Sequence, residues 1–169
     1  MSNIQTKFSK ILVAIDGSEM SMKAAAYAID IANRKGKEEE NVQLIGLTVI
    51  DLTNLSYSFF ATASGYYWAE KLEEKRKQAQ QSLDKVEKLA VKESNTTNNN
   101  INIQFKSEII EDSISRVGSS IVDYAEHENV DLIVIGTRGR TGFKKMLLGS
   151  VASDVVTYAH CPVLVVKWS

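Results

Sequence analysis

The stretch Asp131-Leu132-Ile133-Val134-Ile135-Gly136-Thr137-Arg138-Gly139-Arg140-Thr141-Gly142, continued by Phe143-Lys144-Lys145-Met146-Leu147-Leu148-Gly149-Ser150-Val151, decides how the chain is read. Leu132 to Ile135 is a short, apolar, largely β-branched run ending in glycine, the pattern of a strand buried on both faces of a parallel sheet. Gly136, Gly139 and Gly142 then break the pattern. From Val151 the apolar residues recur at Val155 and Ala159, one face of a helix that starts near Ser150. A buried strand therefore leads through a glycine-rich loop into a helix. A helix start carries unpaired N–H groups and the positive end of the dipole, and glycines let backbone N–H groups approach where a Cβ would block them. This order predicts an anion site, with phosphate the usual anion.

The spacing sharpens the expectation: Gly136, two residues, Gly139, nine residues, Gly149, then Ser150. No Gly-Lys-Ser/Thr follows the glycines, so this is not the common P-loop. The helix starts too late for the dinucleotide fingerprint. A merely connective strand-to-helix loop runs to about 2–6 residues, so a loop that only turns the chain fits poorly. The glycine spacing and the ending Cys161-Pro162-Val163-Leu164-Val165-Val166 resemble the universal stress protein family, in its ATP-binding branch. The resemblance covers nearly the whole chain and is weaker over Leu52–Trp68 and Asn95–Asn100.

The resemblance implies a doubly wound, five-stranded parallel sheet in the order 3-2-1-4-5 with helices on both faces, like the adenine nucleotide alpha hydrolases. It implies that Gly136, Arg138, Gly139, Gly149, Ser150 and Val151 hold the phosphates and ribose of ATP. The family's nucleotide-contacting aspartate at the end of the first strand falls on Asp16, and its backbone contact to the adenine edge falls on Thr48 and Val49. ATP would carry Mg²⁺ or Mn²⁺ held mainly by its phosphates. A homodimer through the last strand is implied as well. Ala14 stands where many members carry proline.

Composition bounds the partners. The 169 residues suit one domain, and 44% apolar with 24% charged residues is ordinary for a soluble globular chain. A net charge of −1 gives no basic field for nucleic acid. No apolar run approaches a membrane span, and Met1 to Lys10 has no apolar signal core. A single cysteine excludes an internal disulfide. Together these predict a cytoplasmic protein with no nucleic-acid or membrane partner.

Along the chain, Lys10–Ile15 reads as the first strand, closed by Asp16-Gly17-Ser18. Ser18 or Ser21 is a candidate cap for a helix with Met22, Ala25, Ile29 and Ala32 on one face, stopping near Gly36. Val42–Ile50 is the second strand, ended by Asp51, and the strand–helix–strand order predicts a right-handed parallel crossover. Leu52–Trp68 is aromatic and without a clear period. From about Ala69 a long polar helix carries the stripe Leu72, Ala79, Leu83, Val86, Ala90 and ends by the Asn95–Asn100 tract. Ile101, Ile103 and Phe105 alternate with polar residues, predicting an edge strand. Asp112 or Ser113 is the expected cap of a helix with Ile114, Val117, Ile121 and Tyr124 on one face, ended by Asn129. Val163–Lys167 is the last strand. Repeated βα alternation means a doubly wound sandwich, in which ligands sit at the carboxyl ends of strands.

Each candidate has a plainer alternative. Asp16 can be a turn aspartate, although a strand-end carboxylate can also accept hydrogen bonds from ribose hydroxyls. Arg138, Arg140, Lys144 and Lys145 can be a solvated basic loop; the preferred reading puts Arg138 within reach of phosphate. Ser150 can cap the helix and donate to phosphate. His160-Cys161 is read as a core pair, not a metal or nucleophile site. The function expected is an ATP-binding regulatory or stress-response protein with slow or no intrinsic hydrolysis. The alternative is an ATP-hydrolysing or adenylyl-transfer enzyme on the same fold, for which no general base is evident in the sequence.

Overall fold

The computed structural model describes residues 8–35, 41–53, 65–96, 103–114, 116–137 and 148–167. Five strands and four helices alternate: β1 (Lys10–Ala14), α1 (Glu19–Lys35), β2 (Val42–Asp51), α2 (Gly65–Thr96), β3 (Ile103–Asp112), α3 (Val117–His127), β4 (Leu132–Gly136), α4 (Ser150–Tyr158) and β5 (Val163–Val166). All pairs are parallel and the order is β3-β2-β1-β4-β5. The fold is that of the adenine nucleotide alpha hydrolases.

The continuous apolar runs are explained by burial on two faces. Ile11, Val13 and Leu44 face one core with α1 and α2, while Leu12, Ile45 and Leu47 face the other with α3 and α4. Alternate residues of one strand thus serve two cores, so the central positions are apolar on both faces. On α1 the buried residues are Ala24, Ala25, Ala28, Ile29 and Ala32, small enough to let the helix lie close to the sheet. On α2 the stripe Leu72, Ala79, Leu83, Val86, Ala90 is buried, as its spacing requires. Leu83 and Val86 are fully buried, each contributing ~1.5–3 kcal/mol.

Local chemistry sets most boundaries. The Ser18 hydroxyl accepts from the Ser21 N–H at 3.2 Å and caps α1. Asn129, at φ 53°, ends α3: its N–H reaches the Glu126 carbonyl, and the Val130 N–H reaches that of Ala125. That is a Schellman closure with asparagine in the left-handed position. The Asp131 carboxylate accepts from the Ser9 N–H, the Ser9 hydroxyl and the Lys10 N–H, tying the entry of β1 to that of β4.

Three expectations are corrected. Asp112 and Ser113 do not cap a helix, because β3 pairs with β2 over its full length, down to Asp51 opposite Asp112. Ile114 is 92% exposed and α3 starts at Val117. The Asp112 carboxylate instead accepts from the Ile114 N–H and the Ser120 hydroxyl, holding the turn and the first turn of α3 together. Helix α2 begins at Gly65, earlier than Ala69, and Trp68 packs with Ile50, Leu72 and Ala79. β5 stops at Val166. Gly36, Tyr57–Phe60 and 97–100 lie outside the described residues. Cys161 is half-buried against the α3–α4 core, and burial pushes its thiol up, as expected of a small packing residue. Among the described residues no helix is long and apolar enough to cross a membrane.

Candidate functional site

The winding reverses at β1, which has β2 on one side and β4 on the other. The carboxyl ends of these three strands form the floor of the site. Asp16 leaves β1 there, and its Oδ1 accepts from the Ser18 N–H at 3.0 Å. Gly17 turns at φ +79°, and a Cβ on it would lie 2.9 Å from the Ser82 hydroxyl of α2. Glycine is favoured at this position by its backbone conformation, and a larger residue would also have to displace the Ser82 hydroxyl. Gly136 ends β4 for a different reason. A Cβ there would meet Met20 Cβ at 3.1 Å and the Met20 backbone at 3.2 Å, so the start of α1 lies across the end of β4.

Residues 138–147 lie outside the described residues, Arg138, Gly139, Lys144 and Lys145 among them. The flanks of this loop are fixed. The Thr137 N–H donates to the Val166 carbonyl at 2.8 Å, and the Gly149 N–H donates to the Thr137 carbonyl at 2.7 Å. The start of α4 is thereby held beside the end of β4. Ser150 is not the helix cap: Gly149 occupies that position, with no side-chain cap bond, and Ser150 is the first helical residue. A glycine cap has no side chain to satisfy the first-turn N–H groups, so they stay available for an acceptor.

A cavity of about 450 Å³ lies over this floor, on the α3–α4 side. Asp16, Val49, Gly136, Gly149, Ser150 and Val151 line it, so six of the residues picked from the sequence meet in one place. Thr48 does not join them. Its buried hydroxyl donates to the Ile15 carbonyl at 2.8 Å, clasping β2 to β1, and it borders a second cavity on the other face. The apolar wall comes from Ile15, Leu47, Val117, Ile121 and Ile135. One side of the cavity suits a flat aromatic group, and the other offers N–H donors, a hydroxyl and a carboxylate.

Sequence reasoning missed Asp51, Lys75 and Thr137, which also line the cavity. Lys75 reaches from α2, and its ammonium donates to the Asp51 carbonyl at 3.2 Å. The Asp51 carboxylate accepts from the Thr53 N–H at 2.8 Å and from the Thr53 hydroxyl. In the sequence, Lys75 is one lysine on a polar helix face and carries no motif. Thr137 had a signal, since it sits between Gly136 and the first loop glycine. Among the described residues, no three His, Cys, Asp or Glu side chains are placed to hold a metal.

The chain is 34% identical to universal stress protein MJ0531 of Methanocaldococcus jannaschii, over 98% of this chain and 85% of that one. It is 30% identical to universal stress protein YxiE of Bacillus subtilis, over 95% of this chain and 99% of that one. The structure of MJ0577, another M. jannaschii protein, superposes with a TM-score of 0.76 at 26% identity, covering 96% and 98% of the two chains. A universal stress protein solved in complex with cAMP shares the fold at a TM-score of 0.57 and 21% identity, covering 96% and 99% of the two chains. The sequence profile of the universal stress protein family matches residues 7–167, and the chain belongs to that family.

Proposed function

We propose that this universal stress protein binds ATP in the 450 Å³ cavity and works as a cytoplasmic regulatory or stress-response protein. The observation that carries the reading is the meeting of a strand-end carboxylate, Asp16, with the start of α4 at Gly149-Ser150 across an apolar wall. Ribose hydroxyls donate to Asp16, phosphates accept from the first N–H groups of α4, and the base lies by the backbone of Val49. In this reading Arg138 and Gly139 also contact the phosphates. Mg²⁺ or Mn²⁺ arrives on the phosphates, which supply its oxygen ligands. The fold-level likeness to a protein solved with cAMP supports an adenine nucleotide here. The chain works as one such domain, pairs into a homodimer through β5, and hydrolyses ATP slowly or not at all.

Calorimetry tests the reading. ATP is expected to bind with one site per chain and GTP more weakly; no ATP binding at millimolar ligand ends it. Asp16→Ala is expected to cost about 1–3 kcal/mol of ATP affinity, roughly 5- to 150-fold, with an unchanged melting temperature. Equal affinity would return Asp16 to its turn, where it holds the Ser18 N–H. Release of phosphate at an ordinary enzymatic turnover would favour the hydrolase instead.

A further inference from the structure

Among the described residues, Lys75 is the one residue of α2 that lines the 450 Å³ cavity, and the only lysine or arginine that does so. Its helix belongs elsewhere: α2 packs with α1 on one face of the sheet, and the cavity lies on the α3–α4 side. Lys75 crosses the end of β2 to arrive. It is half-buried, and its ammonium donates to the Asp51 carbonyl at 3.2 Å. An ammonium carries three donors and no acceptor. Among the described residues Lys75 makes only this bond, so two donors remain for the cavity.

The end of β2 is also where pairing with β1 runs out. Odd-numbered residues of β2 turn their backbone groups to β1: the Gln43 N–H donates to the Ser9 carbonyl, and the Leu47 carbonyl accepts from the Ile15 N–H at 2.8 Å. The Ile15 carbonyl is taken by the Thr48 hydroxyl. Val49 and Asp51 come next in the alternation and have no β1 residue opposite. Their backbone groups turn to the open side, where both residues line the cavity, and the Lys75 ammonium extends that row. The strand ends thus give the cavity an order. The start of α4 is held beside β4, Asp16 leaves β1, and Lys75 stands at the end of β2. Two strand spacings put Lys75 roughly 10 Å from the anion end. A phosphate on the start of α4 is beyond its hydrogen-bond reach, and a base by Val49 is beside it. In adenine the amino group donates, and the ring nitrogens on either side of it, N1 and N7, accept. A backbone carbonyl suits the amino group, and an ammonium suits a ring nitrogen. Building on the ATP reading, we propose that Lys75 is a base-recognition residue, its ammonium donating to N1 or N7 of the adenine.

The test is calorimetry of the full chain and of Lys75→Met with ATP, 1-deaza-ATP and 7-deaza-ATP, analogues in which C–H replaces one ring nitrogen. The parent is expected to bind one of the two analogues about tenfold or more weaker than ATP. Lys75→Met should bind ATP about tenfold or more weaker than the parent, and should bind that analogue as well as it binds ATP. Methionine keeps most of the stem, so the melting temperature should stay close to the parent's. A lysine that only clasps α2 to β2 gives a different result: the variant melts lower and keeps the parent's preference for ATP over the analogue. That result overturns the proposal. So does a parent that binds all three nucleotides alike, or ATP binding unchanged by Lys75→Met. A parent that binds no ATP at millimolar ligand ends the ATP reading and this assignment together. A parent that binds ATP without the coupling to Lys75 ends the assignment alone.

Discussion

β3 and β5 are the two outer strands of one sheet, yet they are made of different materials. β3 runs for ten residues, Ile103–Asp112, half-buried except at the exposed Gln104, Ser107 and Glu111. Its outward side chains are charged and engaged. The Arg76 guanidinium forks onto the Glu111 carboxylate at 2.5 and 3.0 Å, and the Lys106 ammonium lies 3.0 Å from Glu108 and 3.7 Å from Glu128. The Glu108 carboxylate, with the Tyr124 hydroxyl second, holds the Lys106 ammonium well above the usual lysine range. β5 is four residues, Val163-Leu164-Val165-Val166, without a charge. Its pairing to β4 uses alternate residues: the Ile133 and Thr137 N–H groups donate to the Pro162 and Val166 carbonyls. The residues between, Val163 and Val165, turn their own N–H and C=O groups to the open side. A long edge guarded by lysine and glutamate discourages further strands, and a short apolar one invites a partner. The difference says where a second copy would join.

The largest effect expected tests the open edge. Val165→Pro removes an outward N–H while leaving the carbonyls that hold β5 to β4. If two copies pair through β5, sedimentation should show the parent at twice the chain mass and the variant at once. The dissociation constant should rise about 100-fold, for roughly 3 kcal/mol of lost backbone pairing. A parent that sediments as a monomer at micromolar concentration breaks the contrast between the edges.

A smaller effect tests what anchors the guarded edge. Phe105 packs on the α1–α2 core and lies against Gly46, where its Cζ is 2.8 Å from the site of a Cβ. Phe105→Ala should cost about 2–3 kcal/mol in urea unfolding, below the full-burial range because the ring is only partly covered. A cost near zero would mean that β3 is held by its charges. The smallest effect belongs to those charges. Arg76 holds the Glu111 carboxyl below its ordinary range. A depressed carboxylate stabilises the fold above the ordinary glutamate range, about pH 4.3, and that stability is lost as pH falls through the lower folded value. Arg76→Ala should therefore be slightly less stable than the parent at pH 6, with the gap closing toward pH 2 and also shrinking in high salt. A gap that widens in acid contradicts the assignment.

Most of the fold was legible because four strands are largely apolar runs, β3 starts with apolar and polar residues in alternation, and each helix carries an apolar stripe. Those patterns are local. What misled was local chemistry outweighed from elsewhere. Asp112-Ser113 has the residues of a helix cap, but ten residues of pairing with β2 draw Asp112 into the strand. Ser150 is a better capping residue than glycine, yet Gly149 takes the position, its N–H held by the Thr137 carbonyl. At the site, Asp16 and the flanks of the glycine loop announce themselves by position and spacing. Lys75 does not, because a lysine that reaches a cavity and one that points into water look alike on a polar helix. Gly136 reads as a ligand glycine, and the atoms that a side chain there would crowd are the Cβ and backbone of Met20, on α1.

The strand order also sets a schedule. β1 is made first, but its neighbour on one side is β4, with Ile11 opposite Leu132. At ~5–20 residues per second a ribosome needs ~6–24 s to lengthen the chain from the one to the other. Once β2 has followed, it can cover one flank of Ile11, Leu12 and Val13, and for the rest of that interval the other flank is an unclaimed row of amides. The strand at the centre of the finished sheet therefore spends its infancy as an edge, and the window in which another nascent chain can capture it is measured in seconds.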